Sequence, residues 1–424
     1  MPTITIDNKK VEFENGMTVM QACELAGAEI PRFCYHEKLS IAGNCRMCLV
    51  EMEKGPPKPV ASCAMPAGDG MVIKTDSEMV KKARKGVMEF LLINHPLDCP
   101  ICDQGGECDL QDQALHYGFD KSRYEENKRA VKNKHMGPLV STIMTRCIHC
   151  TRCVRFMDEL AGVHSLGAVN RGENTEITSV LEEGISSELS GNIIDLCPVG
   201  ALTSKPYAFT ARSWELMHTE SIDTLDALGA NIRIDHFGGV IKRIVPINND
   251  NINQEWLADK SRFSYDGLSN QRLDNAYIKK NNKYVAVTWE EALKKVCKKI
   301  RSFSSEQIAS ISGIHADVET LVVARDVFDE LGVNNRDCQF EGSQLPVNGR
   351  HNWLFNSEIK GIDKADVVLF IGCDIKKEAP LISARFRQRW LTGNLKAYGL
   401  GNSKNQPFEI IDIGDDLSIL QDFS

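Results

Sequence analysis

Hydrophobic and polar residues alternate from the first positions of the chain. Thr3-Ile4-Thr5-Ile6 and the stretch around Val11 predict strands over 3–7 and 10–13, turning at Asn8. The pattern then lengthens to a helical period over 17–26, with Thr18 placed as N-cap and Gly27 just beyond the end. Segments 47–53, 60–65 and 71–75 alternate or run apolar. Strands wrapped around one helix predict a β-grasp fold. Residues 77–94 return to helical spacing, with Val80, Ala83, Val87, Phe90 and Leu91 on one face and lysines opposite, and stop at His95-Pro96. Further on, 231–235 and 240–245 read as a hairpin around Phe237-Gly238-Gly239. Thr288-Trp289-Glu290-Glu291 is spaced as a capping box opening a helix that runs to Ile300. A buried strand over 308–312, a helix over 317–331, a strand over 365–372, a helix over 380–391 and a strand over 396–400 follow. That alternation predicts a parallel α/β sheet.

Composition narrows the class. At 424 residues the chain is long enough for several cores. No run approaches the ~18 apolar residues of a membrane span. A net charge of −8 without a basic stripe excludes nucleic acid as an expected partner. The opening residues resemble neither a signal peptide nor an Arg-rich presequence; the expectation is a protein made where it works, or one already processed. Twelve of the fifteen cysteines fall within the first 197 residues, while Cys297, Cys338 and Cys373 are scattered. An odd total without a secretory signal points to metal thiolates in a reducing compartment.

The early cysteines form three sets. Cys147, Cys150 and Cys153 stand at i, i+3 and i+6 in one loop, answered by Cys197-Pro198. Three close thiols and a distant fourth before proline suit one [4Fe–4S] cubane, as in bacterial ferredoxins; Val154-Arg155-Phe156 stands where a second cubane's Cys-Pro would follow. Cys34, Cys45, Cys48 and Cys63 are set into the β-grasp segment, three in a loop and one near a later strand, as in [2Fe–2S] ferredoxins. Gly43-Asn44 before Cys45 lets backbone N–H groups approach the sulfurs. Zinc is the alternative at both places. Between these sets come His95, Cys99, Cys102 and Cys108, with Pro100 and Gly105-Gly106 bending the chain; one imidazole and three thiols suit zinc or a [4Fe–4S] cluster about equally on spacing alone. Cys23 reads as helix core. Residues 109–137 read as a solvated helix and connector without chemistry.

Three such sets in this order resemble the large iron–sulfur subunit of respiratory complex I. The residues around them carry the resemblance: Phe33-Cys34-Tyr35-His36, Gly43-Asn44-Cys45-Arg46-Met47-Cys48, Asn94-His95-Pro96-Leu97-Asp98-Cys99-Pro100-Ile101-Cys102, Gly105-Gly106-Glu107-Cys108, and Ser190-Gly191-Asn192-Ile193-Ile194-Asp195-Leu196-Cys197-Pro198-Val199-Gly200-Ala201-Leu202. The resemblance covers essentially the whole chain and implies that His95 ligates a [4Fe–4S] cluster. It implies a multidomain α+β and α/β protein: a [2Fe–2S] β-grasp domain over 1–76, a one-histidine module over 77–137, a ferredoxin-like [4Fe–4S] domain over 138–213, and a molybdopterin-oxidoreductase-like α/β domain over 214–424. The implied cofactors are one [2Fe–2S] and two [4Fe–4S] clusters. With no cysteine between Cys197 and Cys297, no further cubane and no molybdopterin are expected.

The implied work is one-electron transfer. Electrons from an NADH-oxidising flavoprotein subunit enter near the [2Fe–2S] site and leave towards ferredoxin-like and quinone-module subunits. The chain itself shows no dinucleotide fingerprint and no catalytic triad. A peripheral position on the matrix face of the mitochondrial inner membrane is expected, or the cytoplasmic face of a bacterial one. Two other readings exist: a wiring subunit of an NAD-linked hydrogenase or formate dehydrogenase, and a zinc-stapled scaffold. Family members run on past the position of Ser424, so the α/β sheet is expected to be completed by other material or left trimmed.

Overall fold

The first hairpin and helix form where the alternation places them. The computed structural model describes residues 1–180, 183–338, 349, 351, 353–401 and 405–421; the last three residues of the expected chain end, 422–424, lie outside them. Two compact units divide the chain: Met1–Tyr265 with Ile359–Ser424, and Asp266–Glu358.

In the first unit, β1 (Thr3–Ile6) and β2 (Lys9–Glu12) pair antiparallel, with Thr3 opposite Glu12. Helix α1 (Val19–Leu25) starts with a full capping box in which Thr18 and Gln21 exchange side-chain and backbone hydrogen bonds. Strands β3 (Leu49–Met52), β4 (Val60–Ala61) and β5 (Val72–Lys74) complete a sheet of order β2-β1-β5-β3-β4. Val19, Met20 and Cys23 of α1 meet Ile4, Ile6 and Ile73 of the sheet in one core. This is the expected β-grasp. Cys23 is fully buried in it, and burial pushes its thiol up to about 12.

Helix α2 (Glu78–Leu92) is capped by Ser77, which accepts from the Val80 N–H. Its buried stripe is Val80, Arg84 and Met88, while Phe90 is 77% exposed, so the expected apolar face is rotated. The cause is Arg84. Its guanidinium donates twice to the Leu49 carbonyl at 3.2 and 3.0 Å, tying α2 to β3. Helix α3 (Asp109–Tyr117) buries Leu110 and leaves Leu115 exposed. The connector that follows is more than a solvated link: Lys128 Nζ donates to the carbonyls of Leu92 and Ile93, and Thr145 Oγ1 both accepts from and donates to the Val131 backbone.

Next come β6 (Val140–Thr142), α4 (Arg152–Glu159), β7 (Leu166–Val169), β8 (Glu176–Ser179), α5 (Asn192–Leu196) and β9 (Leu202–Ser204). β6 pairs antiparallel with β9 and β7 with β8, while Phe156, Met157 and Ile193 of the two helices lie in the shared core. A three-stranded sheet follows, of β10 (Met217–Ile222), β11 (Asn231–Phe237) and β12 (Val240–Pro246). The β11–β12 hairpin is the expected one. β10 is not legible in sequence because all six of its residues are exposed, leaving no alternation to read. Short α6 (Asp259–Phe263) closes this part.

The second unit contains the hairpin β13 (Ala276–Lys280) and β14 (Lys283–Val287), helices α7 (Trp289–Ile300) and α8 (Val318–Glu330), and the parallel pair β15 (Ala309–Ile311) with β16 (Asn335–Asp337). Thr288 caps α7 by accepting from the Glu291 N–H, and Asp317 caps α8. The expected buried strand over 308–312 is instead a short one with Ile311 80% exposed. It has one partner strand among the described residues.

Helix α9 (Glu358–Gly361) leads back to the first unit, where β17 (Val367–Ile371), α10 (Ile375–Glu378), α11 (Pro380–Leu391), β18 (Lys396–Leu400) and β19 (Ile411–Asp412) follow. The three strands run parallel, as the alternation predicts. Arg387 of α11 donates to the carbonyls of Asp158 and Glu159 at 2.7 and 3.0 Å, satisfying the last turn of α4. The α/β layer is thereby fastened to the ferredoxin-like part.

Candidate metal centres

The structure draws the first two predicted sets together, each around one place; of the third, it brings Cys102 and Cys108 within electrostatic reach of each other. In the β-grasp domain, the loop between α1 and β3 carries Cys34, Cys45 and Cys48, and Cys63 follows β4. Cys34 shares hydrogen bonds with Cys45 and Cys63, and Cys63 with Cys48, so the four sulfurs form one contiguous group. Those bonds, with backbone N–H groups of Cys45 and Asn44 added, hold the Cys34 thiol far below its ordinary range and push Cys45 and Cys63 up. The backbone donors at Asn44 and Cys45 are those expected from the small residues before Cys45. Four sulfurs held in one group suit a cation that would keep all of them as thiolates.

Cys147, Cys150, Cys153 and Cys197 line one small pocket together with apolar residues that include Met144, Ile177, Val199 and Leu202. The loop winds around it because His149 and Thr151 take left-handed φ values of 55° and 61° between the cysteines. The His149 N–H donates to Cys147 Sγ at 3.4 Å. Burial pushes Cys147 to about 11 and Cys197 to about 12. Such thiols ionise only when a cation takes the proton's place, which is the chemistry of a thiolate-ligated cluster.

At the third set, Cys102 and Cys108 are buried and Cys99 is exposed. Burial pushes the His95 imidazole down to about 4, opposed by a hydrogen bond with the Arg146 backbone. The ring is therefore neutral at pH 7, and its Nδ1 is buried without a hydrogen-bond partner. A neutral ring tethered at one edge and orphaned at the other fits a metal ligand. Among the described residues, no three His, Cys, Asp or Glu side chains converge closely enough to enclose a single ion.

The loop of the third set is braced by residues that sequence reading passed over. Arg212 donates to the carbonyls of Cys102 (2.6 Å) and Pro100. Arg243 of β12 forks onto Glu107 at 2.6 and 2.8 Å, and also holds Asp235 at 2.7 Å. Gly106, at φ +91°, lies under the Trp214 ring, where any Cβ would come within 2.5 Å of it. None of these partners is near the loop in sequence, so spacing carries no signal for them.

The four-cysteine site touches both others. Asn44 Nδ2 donates to the His149 carbonyl at 3.1 Å, and Arg155 donates to the carbonyls of Cys34 and Cys150. On the other side, Gly200 lies against Cys102, where an added Cβ would fall 2.1 Å from Sγ. Cys108 Sγ donates to the Pro198 carbonyl at 3.7 Å. Arg146, only 3% exposed, pairs with Asp98 at 2.9 Å and donates to the Gly200 carbonyl at 3.3 Å. The spatial order is thus the β-grasp set, then the four-cysteine set, then the histidine set.

Fold and site together define an iron–sulfur protein. Family models match in the same order: a 2Fe-2S iron-sulfur cluster binding domain over 1–78, the NADH-ubiquinone oxidoreductase-G iron-sulfur binding region over 84–123, and the NADH-quinone oxidoreductase subunit 3 ferredoxin-like domain over 137–203. An NDSU1/NuoG-like 4Fe-4S domain model matches 216–266, a stretch that contains no cysteine in this chain, and a molybdopterin oxidoreductase model matches 272–424. Among relatives, the G subunit of NADH-quinone oxidoreductase from Rickettsia bellii is 55% identical over 424 residues, covering 100% of this chain and 62% of that protein. The 75 kDa subunit of NADH-ubiquinone oxidoreductase from Reclinomonas americana is 52% identical over 438 residues, covering 100% and 63%. The mitochondrial 78 kDa subunit from Neurospora crassa is 51% identical over 426, covering 99% and 57%. A chain of an NAD+-reducing [NiFe]-hydrogenase crystal structure is 30% identical with a TM-score of 0.45, covering 50% of this chain and 90% of that one. The chain belongs to the family formed by the G subunits of NADH-quinone oxidoreductase and their 75–78 kDa counterparts, and spans 62% of the length of the first of these relatives.

Proposed function

We propose that this chain is the electron-relay subunit of a proton-pumping NADH:ubiquinone oxidoreductase, carrying one [2Fe–2S] and two [4Fe–4S] clusters and having no site of its own for NADH or quinone. Cys34, Cys45, Cys48 and Cys63 hold the first cluster. Cys147, Cys150, Cys153 and Cys197 hold the second, and His95, Cys99, Cys102 and Cys108 the third. The domains run 1–76, 77–137, 138–213 and 214–424. When bound, such clusters accept and release one electron with little rearrangement. The residues supply the rest. Thiolates confer negative charge, backbone N–H groups at Asn44, Cys45 and His149 offset it, and the neutral His95 ring removes one unit of charge from its site. Buried apolar walls such as Met144 and Ile177 exclude water.

The observation that carries this reading is the contact of the four-cysteine site with both others. Its partners would be an NADH-oxidising flavoprotein subunit on the side of Cys34, and ferredoxin-like and quinone-module subunits on the side of His95. No helix among the described residues is long and apolar enough to cross a membrane; attachment to the matrix face of the mitochondrial inner membrane, or its bacterial equivalent, is through the complex. Residues 214–424 act as a scaffold without molybdopterin, the β10–β12 sheet bracing the histidine loop.

Metal analysis with low-temperature EPR on the anaerobically reduced complex tests this. The expected result is about ten irons for this chain, no molybdenum, and both cluster types in the spectrum. About six irons with one zinc would reduce the His95 set to a structural site and break the path.

A further inference from the structure

Arg155 lies two residues after Cys153 in α4 and reaches out of its own site. Its guanidinium donates to the Cys150 carbonyl at 3.2 Å and to the carbonyls of Cys34 and Ser40. One side chain thus grips the backbone of a ligand from each of two sets. The loop from Cys34 is held to the same helix by a second contact, the Ser40 backbone N–H donating to Glu159 at 2.8 Å. Arg155 is half-buried, and its charge acts favourably on the sulfurs of both Cys150 and Cys34. A guanidinium stays charged throughout the accessible pH range. It adds no proton chemistry, only a fixed positive charge and a rigid link.

We infer that Arg155 is a positioning residue common to the [2Fe–2S] and four-cysteine [4Fe–4S] sites, fixing the distance between them and making both easier to reduce. The inference rests on the cluster assignment above. A fixed positive charge near two sites stabilises the added electron at each, so both reduction equilibria move together when it is removed. No bond is made or broken: one electron leaves one site as the other gains it. Arg152 resembles Arg155 in reach, donating to the Tyr35 carbonyl at 2.8 Å, but it touches no carbonyl of a ligating cysteine.

The test is an EPR-monitored redox titration of the intact complex carrying Arg155→Gln or Arg155→Lys, with iron content measured on the same samples. In R155Q the expected result is a fall of about tenfold in the reduction equilibrium of both clusters, or ~59 mV each for one electron. R155K keeps the charge and should titrate near the native values. Unchanged potentials in R155Q, or a shift at one cluster alone, overturn the inference. If R155Q does not retain its clusters, R155K decides: native iron and near-native potentials sustain the inference, whereas cluster loss there makes Arg155 a folding strut. Native samples lacking iron at the Cys34 set would instead contradict the cluster assignment itself.

Discussion

Gly200 is the tightest point between two of the sites. A methyl group there would overlap Cys102 Sγ, and the backbone carbonyl of the same residue accepts from Arg146. Neither neighbour can retreat easily, since Cys102 belongs to the histidine set and Arg146 is buried against Asp98. Gly200→Ala should therefore displace Cys102 and lose the His95-site cluster, lowering iron by about four per chain while the [2Fe–2S] spectrum persists. Full iron content in G200A would show that the contact is not limiting. At this scale the sequence was legible where the signal was spacing. Close spacing marks Cys45 with Cys48, Cys99 with Cys102, and Cys147, Cys150 and Cys153, whereas His95 entered as a cluster ligand only through the family resemblance. Arg146, Arg155, Arg212 and Arg243 were not legible as braces, since each acts through a carbonyl or carboxylate whose neighbourhood only the fold creates.

Among the elements, the β10–β12 sheet acts on the histidine loop through one buried carboxylate. Asp235 is fully buried, with Arg233, Arg243 and His218 around it at 2.7–2.8 Å. Burial alone would raise its pKa, but the hydrogen bonds from Arg233 and Arg243 outweigh that and hold it below the usual carboxylate range. A depressed carboxylate contributes stability that is complete above its unfolded pKa near 4 and is lost as pH falls through the folded value. Asp235→Asn should cost about 1–3 kcal/mol, because Arg233 and Arg243 lose their shared carboxylate while Arg243 keeps Glu107. Arg243 also holds Glu107, next to Cys108, so the variant should speed bleaching of the cluster absorbance in urea. The native protein should bleach faster as pH drops below 4, and D235N should show less of that dependence. Equal bleaching rates in both proteins would uncouple the sheet from the site. Elements with a strong period were read well: α1, α11 and β18 lie where alternation or helical spacing placed them. α2 was rotated because an arginine, counted as polar, is its buried centre, and β10 was invisible because exposure leaves no pattern.

Across the whole molecule, the chain is arranged around the segment from Arg146 to Arg155. It carries three of the proposed ligands, Cys147, Cys150 and Cys153, and through its arginines contacts both neighbouring sets. The α/β layer fastens to the same helix through Arg387. The family and order of modules were legible in sequence; their adjacency was not, because Cys34 and Cys150 lie far apart along the chain and meet only after folding. The central claim is that electrons pass through the four-cysteine site between the other two. Rapid freeze-quench EPR of the intact complex after mixing with NADH, native against Cys150→Ala, tests it most directly. The account predicts that in C150A the [2Fe–2S] signal still appears at the native rate while the His95-site signal fails to develop. A His95-site signal that rises as fast in C150A as in the native complex would contradict it.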